Sequence, residues 1–181
     1  GASGMPGVIL PRKAVAEMRK LIDEGEEDIE VGLSDTKIKF SFDGTALTSK
    51  LIDGTFPDYD RVIPDNNDKV LEVDTHLFSQ AVDRVSAISN EKSRSVKLSV
   101  SRGNLMLSAN SAENDSATEE LQVDYDEVEM EIGFNSRYLL DIAQQIEGKR
   151  IRFTLANSSS PTLIEDLEDQ GALYVLMPMR V

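Results

Sequence analysis

Apolar residues fall into one frame three times along this chain, at intervals of about sixty residues. Counted from Pro11, Asp74 and Asn135, they recur at the third, fourth, seventh and eleventh positions. The copies read Ala14, Val15, Met18, Ile22; Leu77, Phe78, Ala81, Val85; and Tyr138, Leu139, Ile142, Ile146. This spacing predicts one apolar face on each of three amphipathic helices. Pro suits a first helical turn, where its missing N–H costs nothing, and Asp and Asn cap orphan amides.

The flanks repeat as well. A short apolar segment precedes each helix, at 8–10, 70–73 and 130–134. Runs of two-residue alternation follow each one, as expected for half-buried strands. They are Ile29, Val31, Leu33 then Ile38, Phe40, Phe42; Val96, Leu98, Val100 then Leu105, Leu107, Ala109; and Ile151, Phe153, Leu155 then Thr162, Ile164. Turn residues separate the pairs at Ser34-Asp35, Gly103-Asn104 and 157–160. A last strand closes each unit, at 46–52, 118–123 and 172–177. The predicted unit is β-α-β-β-β, and antiparallel meanders with a helix on one face make an α+β fold.

The chain's 181 residues suit one large domain or one and a half ordinary ones. Residues 1–7 read as a flexible lead-in, and 63–68, rich in Pro, Asp and Asn, as the boundary between a unit at 8–66 and a pair at 67–181. No apolar run reaches membrane-spanning length and no signal-peptide pattern opens the chain. The lack of cysteine excludes disulfides and thiolate metal sites and fits a reducing cytoplasm.

A net charge of −14 argues against broad nucleic-acid binding. Placement qualifies that sum. Lys13, His76 and Arg137 each stand two positions into a helix, opposite the apolar stripe, with Arg12, Arg19, Lys20 and Arg84 on the same helices and Lys149 and Arg150 after the third. The acids gather at 23–28, 113–120, 124–131 and 165–169. Solvated helix faces ordinarily carry such cations; the alternative is a segregated field, basic on the helices and acidic elsewhere.

Little reads as catalytic. His76 is the single histidine and suits a surface or capping role, with no Cys or serine motif beside it. Asp58 and Asp60 lack the Gly and distant Glu of a calcium loop, so a metal-dependent hydrolase finds little support. Two segments stand out instead. The connection FPDYDRVIP holds two aromatics and two prolines, and the chain ends YVLMPMRV. Such an apolar end docks into its own core, which the residues alone favour, or lines a binding surface, where methionine adapts to varied partners. Pro178 should end the last strand and free Met179, Arg180 and Val181 from the sheet.

At these residues the chain resembles a known family. VILPRKAV, SKLIDGTFPDYDRVIP, AISNEKSRSVKLSV and YVLMPMRV together look like the bacterial sliding clamp, the beta subunit of DNA polymerase III, continuously over residues 8–181. The resemblance implies a clamp fold of β-α-β-β-β units, six per subunit, with a head-to-tail homodimer closing a ring around duplex DNA. Three units here match the second half of the middle domain (8–66) and the whole C-terminal domain (67–181).

It implies a non-enzymatic, cytoplasmic processivity factor of DNA replication without cofactor or metal. Arg12, Lys13, Arg19, Lys20, His76, Arg84 and Arg137 would face DNA phosphates without reading sequence. A hydrophobic cleft would take short motifs from polymerase and clamp-loader subunits. The matching positions are Pro57, Arg61, Val62, Asn135, Tyr138, Val175, Leu176, Met177, Pro178, Met179 and Arg180. Ala87, Ile88, Glu113 and Asp115 would lie at the dimer edge.

Ser93 departs from the aromatic that some members carry at the cleft edge. Lacking the other cleft wall and the first domain, the chain is expected to be a fragment unable to close a ring. Its first unit should expose apolar surface and a strand edge, and either self-associate or order poorly. The reading that competes without the resemblance is a repeat-built oligomerisation or protein-interaction module with no DNA role. Binding of a Leu-Phe peptide near Met177 separates the two.

Overall fold

The computed structural model describes residues 4–22, 28–42, 44–56, 58–89, 94–111, 113, 115–169 and 171–180. They form two compact units, Gly1–Asp58 and Tyr59–Val181. The division falls earlier than the Pro/Asp/Asn cluster at 63–68. Residues 59–66 therefore sit with the second unit.

The first unit holds helix α1 (Arg12–Ile22) and an antiparallel sheet of β1 (Glu30–Leu33), β2 (Lys37–Phe42) and β3 (Thr45–Lys50), in that order. Ile9 makes a single bridge to Ile52 rather than a strand. Pro11 precedes the helix, and its carbonyl accepts from Ala14 at 2.9 Å and Val15 at 3.3 Å. Ala14, Met18 and Ile38 are buried, whereas Val15, Leu21, Ile22, Val31, Ile52 and Phe56 stay exposed. Val15 and Ile22 thus fall off the buried stripe that the pattern assigned them. The strands pair along their lengths nonetheless, with Ser34 donating to the Lys37 carbonyl at 2.9 Å across the first turn.

The second unit is two intertwined copies. One is β4 (Lys69–Asp74), α2 (Thr75–Ser86), β5 (Ser95–Ser101), β6 (Asn104–Asn110) and β7 (Ser116–Gln122). The other is β8 (Met130–Asn135), α3 (Ser136–Ala143), β9 (Arg150–Leu155), β10 (Thr162–Asp166) and β11 (Leu173–Leu176). Each opening strand joins the other copy's meander, so the sheets run β11-β10-β9-β4 and β7-β6-β5-β8. The β-α-β-β-β order holds along the chain, but no copy in this unit closes its own sheet.

The helix starts follow the predicted caps. Asp74 takes the Leu77 amide at 2.8 Å, and Asn135 takes the Arg137 amide at 3.0 Å. The exchange extends to the first helical amides: Thr75 donates to Lys149 at 2.9 Å and Ser136 to Arg94 at 2.8 Å, so each helix begins against the other copy's loop. Phe78, Ala81, Val82 and Val85 of α2 pack with Leu139 of α3 over Leu71, Leu98, Leu107, Phe134, Phe153 and Ile164. Phe78 and Phe153 meet with ring centroids 5.1 Å apart. Full burial of side chains this size contributes about 1.5–3 kcal/mol each.

Two predicted stripe positions depart from this core. Leu77 and Tyr138, each third after its cap, are exposed at 52% and 56%. Ile146 is buried but follows the end of α3. The last turn is as predicted, with Asn157 Oδ1 accepting from Ser159 and Ser160 at 2.9 Å each.

Candidate functional site

Side chains of α3 and β11 leave between them a groove of about 550 Å³, lined by Tyr138, Asp141, Ile142, Leu173, Tyr174, Val175, Leu176 and Met177. Its polarity follows from register. Leu176 is buried beneath the sheet while Met177, past the strand's end, is 61% exposed. Tyr138 stands on the helix's first turn and Leu173 begins the strand, each about half exposed. A tyrosine, a leucine and a methionine left in water around one hollow are what a site for apolar side chains requires.

Of the residues predicted for partner binding, Tyr138, Val175, Leu176 and Met177 come together here. Asn135 lies one step back, capping the helix that carries Tyr138. Arg61 and Val62 are exposed in and after a 3₁₀ turn at Tyr59–Arg61, and do not line the groove. Pro57 and Ser93 fall outside the described residues.

The tail corrects its prediction. The strand ends at Leu176, but Met179 is not free: its amide donates to the Gly133 carbonyl at 2.8 Å, pairing it with β8 in the other sheet. Pro178 and Met179 are half-buried and Arg180 is exposed. Asp141, Ile142, Leu173 and Tyr174 were not foreseen as lining residues. For Ile142 and Leu173, apolar type in a helix or strand frame signals core before surface.

The basic positions take three situations. On α1, Arg12, Lys13, Arg19 and Lys20 are exposed, Lys20 meeting Glu17 at 3.1 Å. On the second unit's helices, His76 and Arg137 are exposed at the first turns, His76 within 3.4 Å of Gln80. Arg84, by contrast, forks onto Glu119 of β7, one arm at 2.6 Å. That hydrogen bond holds the Glu119 carboxyl below the usual carboxylate range and raises the Arg84 guanidinium. Arg150 likewise pairs with Asp124 and lies 3.6 Å from Glu72. The helices also carry acids: Asp83 and Asp141 join Arg94 and Arg137 around a hollow between α2 and α3.

On the β7-β6-β5-β8 sheet, the face away from the helices is acidic. A cross-strand row runs Glu131, Ser99, Met106, Glu120 over four strands, along a hollow of about 530 Å³. Lys97 and Ser99 hydrogen-bond to Glu131, at 3.0 and 3.1 Å, and lower its pKa.

The residues expected at the dimer edge lie along α2 and β7. Ala87 is the exposed C-cap of α2, while Ile88 packs partly against the core. Glu113 and Asp115 occupy the turn into β7, their amides donating to Ser111 Oγ at 3.1 and 3.0 Å. Among the described residues β7 closes one side of its sheet, pairing with β6. Among the described residues, no cluster of three or more His, Asp or Glu is placed to hold a metal ion. No described helix is long and apolar enough to cross a membrane.

Comparison with known proteins agrees with this architecture. Residues 60–180 match the family model for the C-terminal domain of the DNA polymerase III beta subunit, and residues 2–58 match that for its central domain. A beta sliding clamp of Caulobacter vibrioides is 53% identical over 181 residues, all of this chain and 49% of that protein. The Escherichia coli K12 clamp is 44% identical over 174 residues, 96% of this chain and 48% of its own length. Among solved structures, the Bartonella birtlesii sliding clamp bound to griselimycin superposes with a TM-score of 0.93 at 52% identity, covering 100% of this chain and 49% of that one. The chain thus spans about half the length of the relatives it matches. With both domain models matched in order and identity above half across its whole length, the chain belongs to the bacterial beta sliding clamp family, the beta subunit of DNA polymerase III.

Proposed function

We propose that this chain serves as part of a ring-forming processivity clamp, a cytoplasmic protein of bacterial DNA replication that binds partners and performs no covalent chemistry. The apolar groove between α3 and β11 carries the reading: Tyr138 and Met177 stand more than half exposed around it, with Leu173 half exposed beside them. Short segments ending in Leu and Phe, from polymerase or clamp-loader subunits, would bury their side chains there, Met177 adapting to their shapes. Arg61, Val62, Asn135, Met179 and Arg180 would meet the peptide's polar atoms and backbone.

Duplex DNA would pass the helices. Arg12, Lys13, Arg19, Lys20, His76 and Arg137 would touch phosphates, with Arg84 contributing less because Glu119 already holds it. Weak, sequence-blind contacts let a clamp slide, and the acidic sheet face turns DNA away. The β7 edge, with Ala87, Ile88, Glu113 and Asp115 beside it, would receive the second protomer by strand addition.

Calorimetric titration of the pentapeptide Gln-Leu-Ala-Leu-Phe tests the groove. The unsubstituted chain should bind it, and Met177→Asp should weaken binding at least about tenfold, a loss of 1.4 kcal/mol. Equal affinity in both proteins would refute the assignment.

A further inference from the structure

We propose that the hydrogen bond from Met179 to Gly133 is a latch that sets the mouth of the groove, making Met179 a positioning residue through its backbone amide. The inference rests on the groove being the partner site.

Strand β8 governs both lips. Its last residue, Asn135, caps α3 and so fixes the first turn that presents Tyr138. Two residues earlier, Gly133 accepts the Met179 amide at 2.8 Å. The opposite lip, Met177, hangs between two fixed points: Leu176, 6% exposed in the core, and Met179 on β8. Pro178 between them has no N–H to offer. Three Cα steps of about 3.8 Å separate the anchors, which leaves Met177 little freedom while both hold. One strand thereby couples the helix lip to the tail lip.

The internal repeat supplies a control for the contact. Glu72 stands two residues before the Asp74 cap, as Gly133 does before Asn135. It too receives the segment that follows its copy's closing meander, Asp124. There the pairing is reciprocal: Glu72 donates to Asp124 at 3.0 Å and Asp124 to Glu72 at 2.9 Å. The first copy fastens its tail twice, and Arg150 adds an ion pair to Asp124. Among the described residues the second fastens it through the Met179 amide, at the copy that carries the groove. A lip anchored on both sides is ordered in advance, which lowers the ordering cost of binding.

A semisynthetic chain in which the amide joining Pro178 to Met179 is replaced by an ester keeps every side chain and removes the donor alone. In the free chain, the backbone resonances of Val175, Leu176 and Met177 should shift by heteronuclear NMR. Affinity for Gln-Leu-Ala-Leu-Phe should fall about tenfold, through faster dissociation. Met179→Leu, which keeps the N–H, should leave those three resonances in place. Unchanged resonances and affinity within about twofold of the parent would overturn the latch. If the parent itself binds no peptide, the groove assignment fails separately, and the free-chain resonances decide the latch.

Discussion

The carboxylate of Asp166 accepts the Gly148 amide at 2.9 Å, and the two groups pack so closely that a Cβ on Gly148 would run into that carboxylate. The contact closes the loop between α3 and β9. That loop in turn seats α2: Thr75 Oγ1 donates to the Gly148 carbonyl at 2.9 Å, and the Thr75 amide to Lys149 at 2.9 Å. A glycine is required here for space, and its neighbours fix where His76 enters the solvent.

Gly148→Ala should therefore destabilise the second unit by roughly 2 kcal/mol or more, since neither the backbone nor the pinned carboxylate can move aside cheaply. Urea unfolding of the two proteins checks this. A midpoint shift with an unchanged slope is the expected form.

Asp166 should also shape the acid limb of stability. Amides of Glu168, at 2.8 Å, and Gly148, at 2.9 Å, hold its carboxyl below the usual range. A depressed folded-state value means the contribution is whole above the unfolded value of about 3.9 and is lost as pH falls toward the folded one. Thermal melts across that interval should drop more steeply for the parent than for Asp166→Asn, which should be less stable at neutral pH. Parallel curves would count against the carboxylate's role.

Arg84 and Arg137 should separate in polyanion binding. Arg84 is spent on Glu119, whereas Arg137 stands exposed at the start of α3. In a salt titration of duplex DNA binding, Arg137→Ala should flatten the log–log slope by about 0.9, and Arg84→Ala should change it little. Stability should change little for either, as for other exposed ion pairs and surface cations.

Phe153→Ala tests the shared core. Phe153 is fully buried against Phe78, with Leu71 directly across from it on β4, so both copies lean on it. A loss of about 3–5 kcal/mol is expected in chemical denaturation.

The sequence made the periodic parts legible. Asp74 and Asn135 announce their helices because a capping side chain acts within its own turn, and β5, β6, β9 and β10 alternate cleanly because one face meets the core. The exchange of β4 and β8 between copies was not legible, since alternation says which face is buried but not which strand lies alongside. Leu77 and Tyr138 show a related limit: both satisfy the helical frame, and only their position on the folded surface distinguishes an exposed apolar residue from a core one. The return of Met179 to Gly133 left no side-chain signal, because the bond is backbone to backbone. Proline chemistry at 178 correctly placed a strand end nearby but could not foresee a new partner. For the site, the resemblance supplied Tyr138 and Met177, and the geometry added Asp141, Ile142, Leu173 and Tyr174.

The most direct test of the account maps binding of Gln-Leu-Ala-Leu-Phe to the isotope-labelled chain by heteronuclear NMR. Binding should move the resonances of Tyr138, Ile142, Leu173, Val175 and Met177 together, saturating with one constant, while Glu120 and Glu131 on the acidic face stay still. Saturable shifts centred away from α3 and β11, or none at the groove at millimolar peptide, would contradict the assignment of this surface as the partner site.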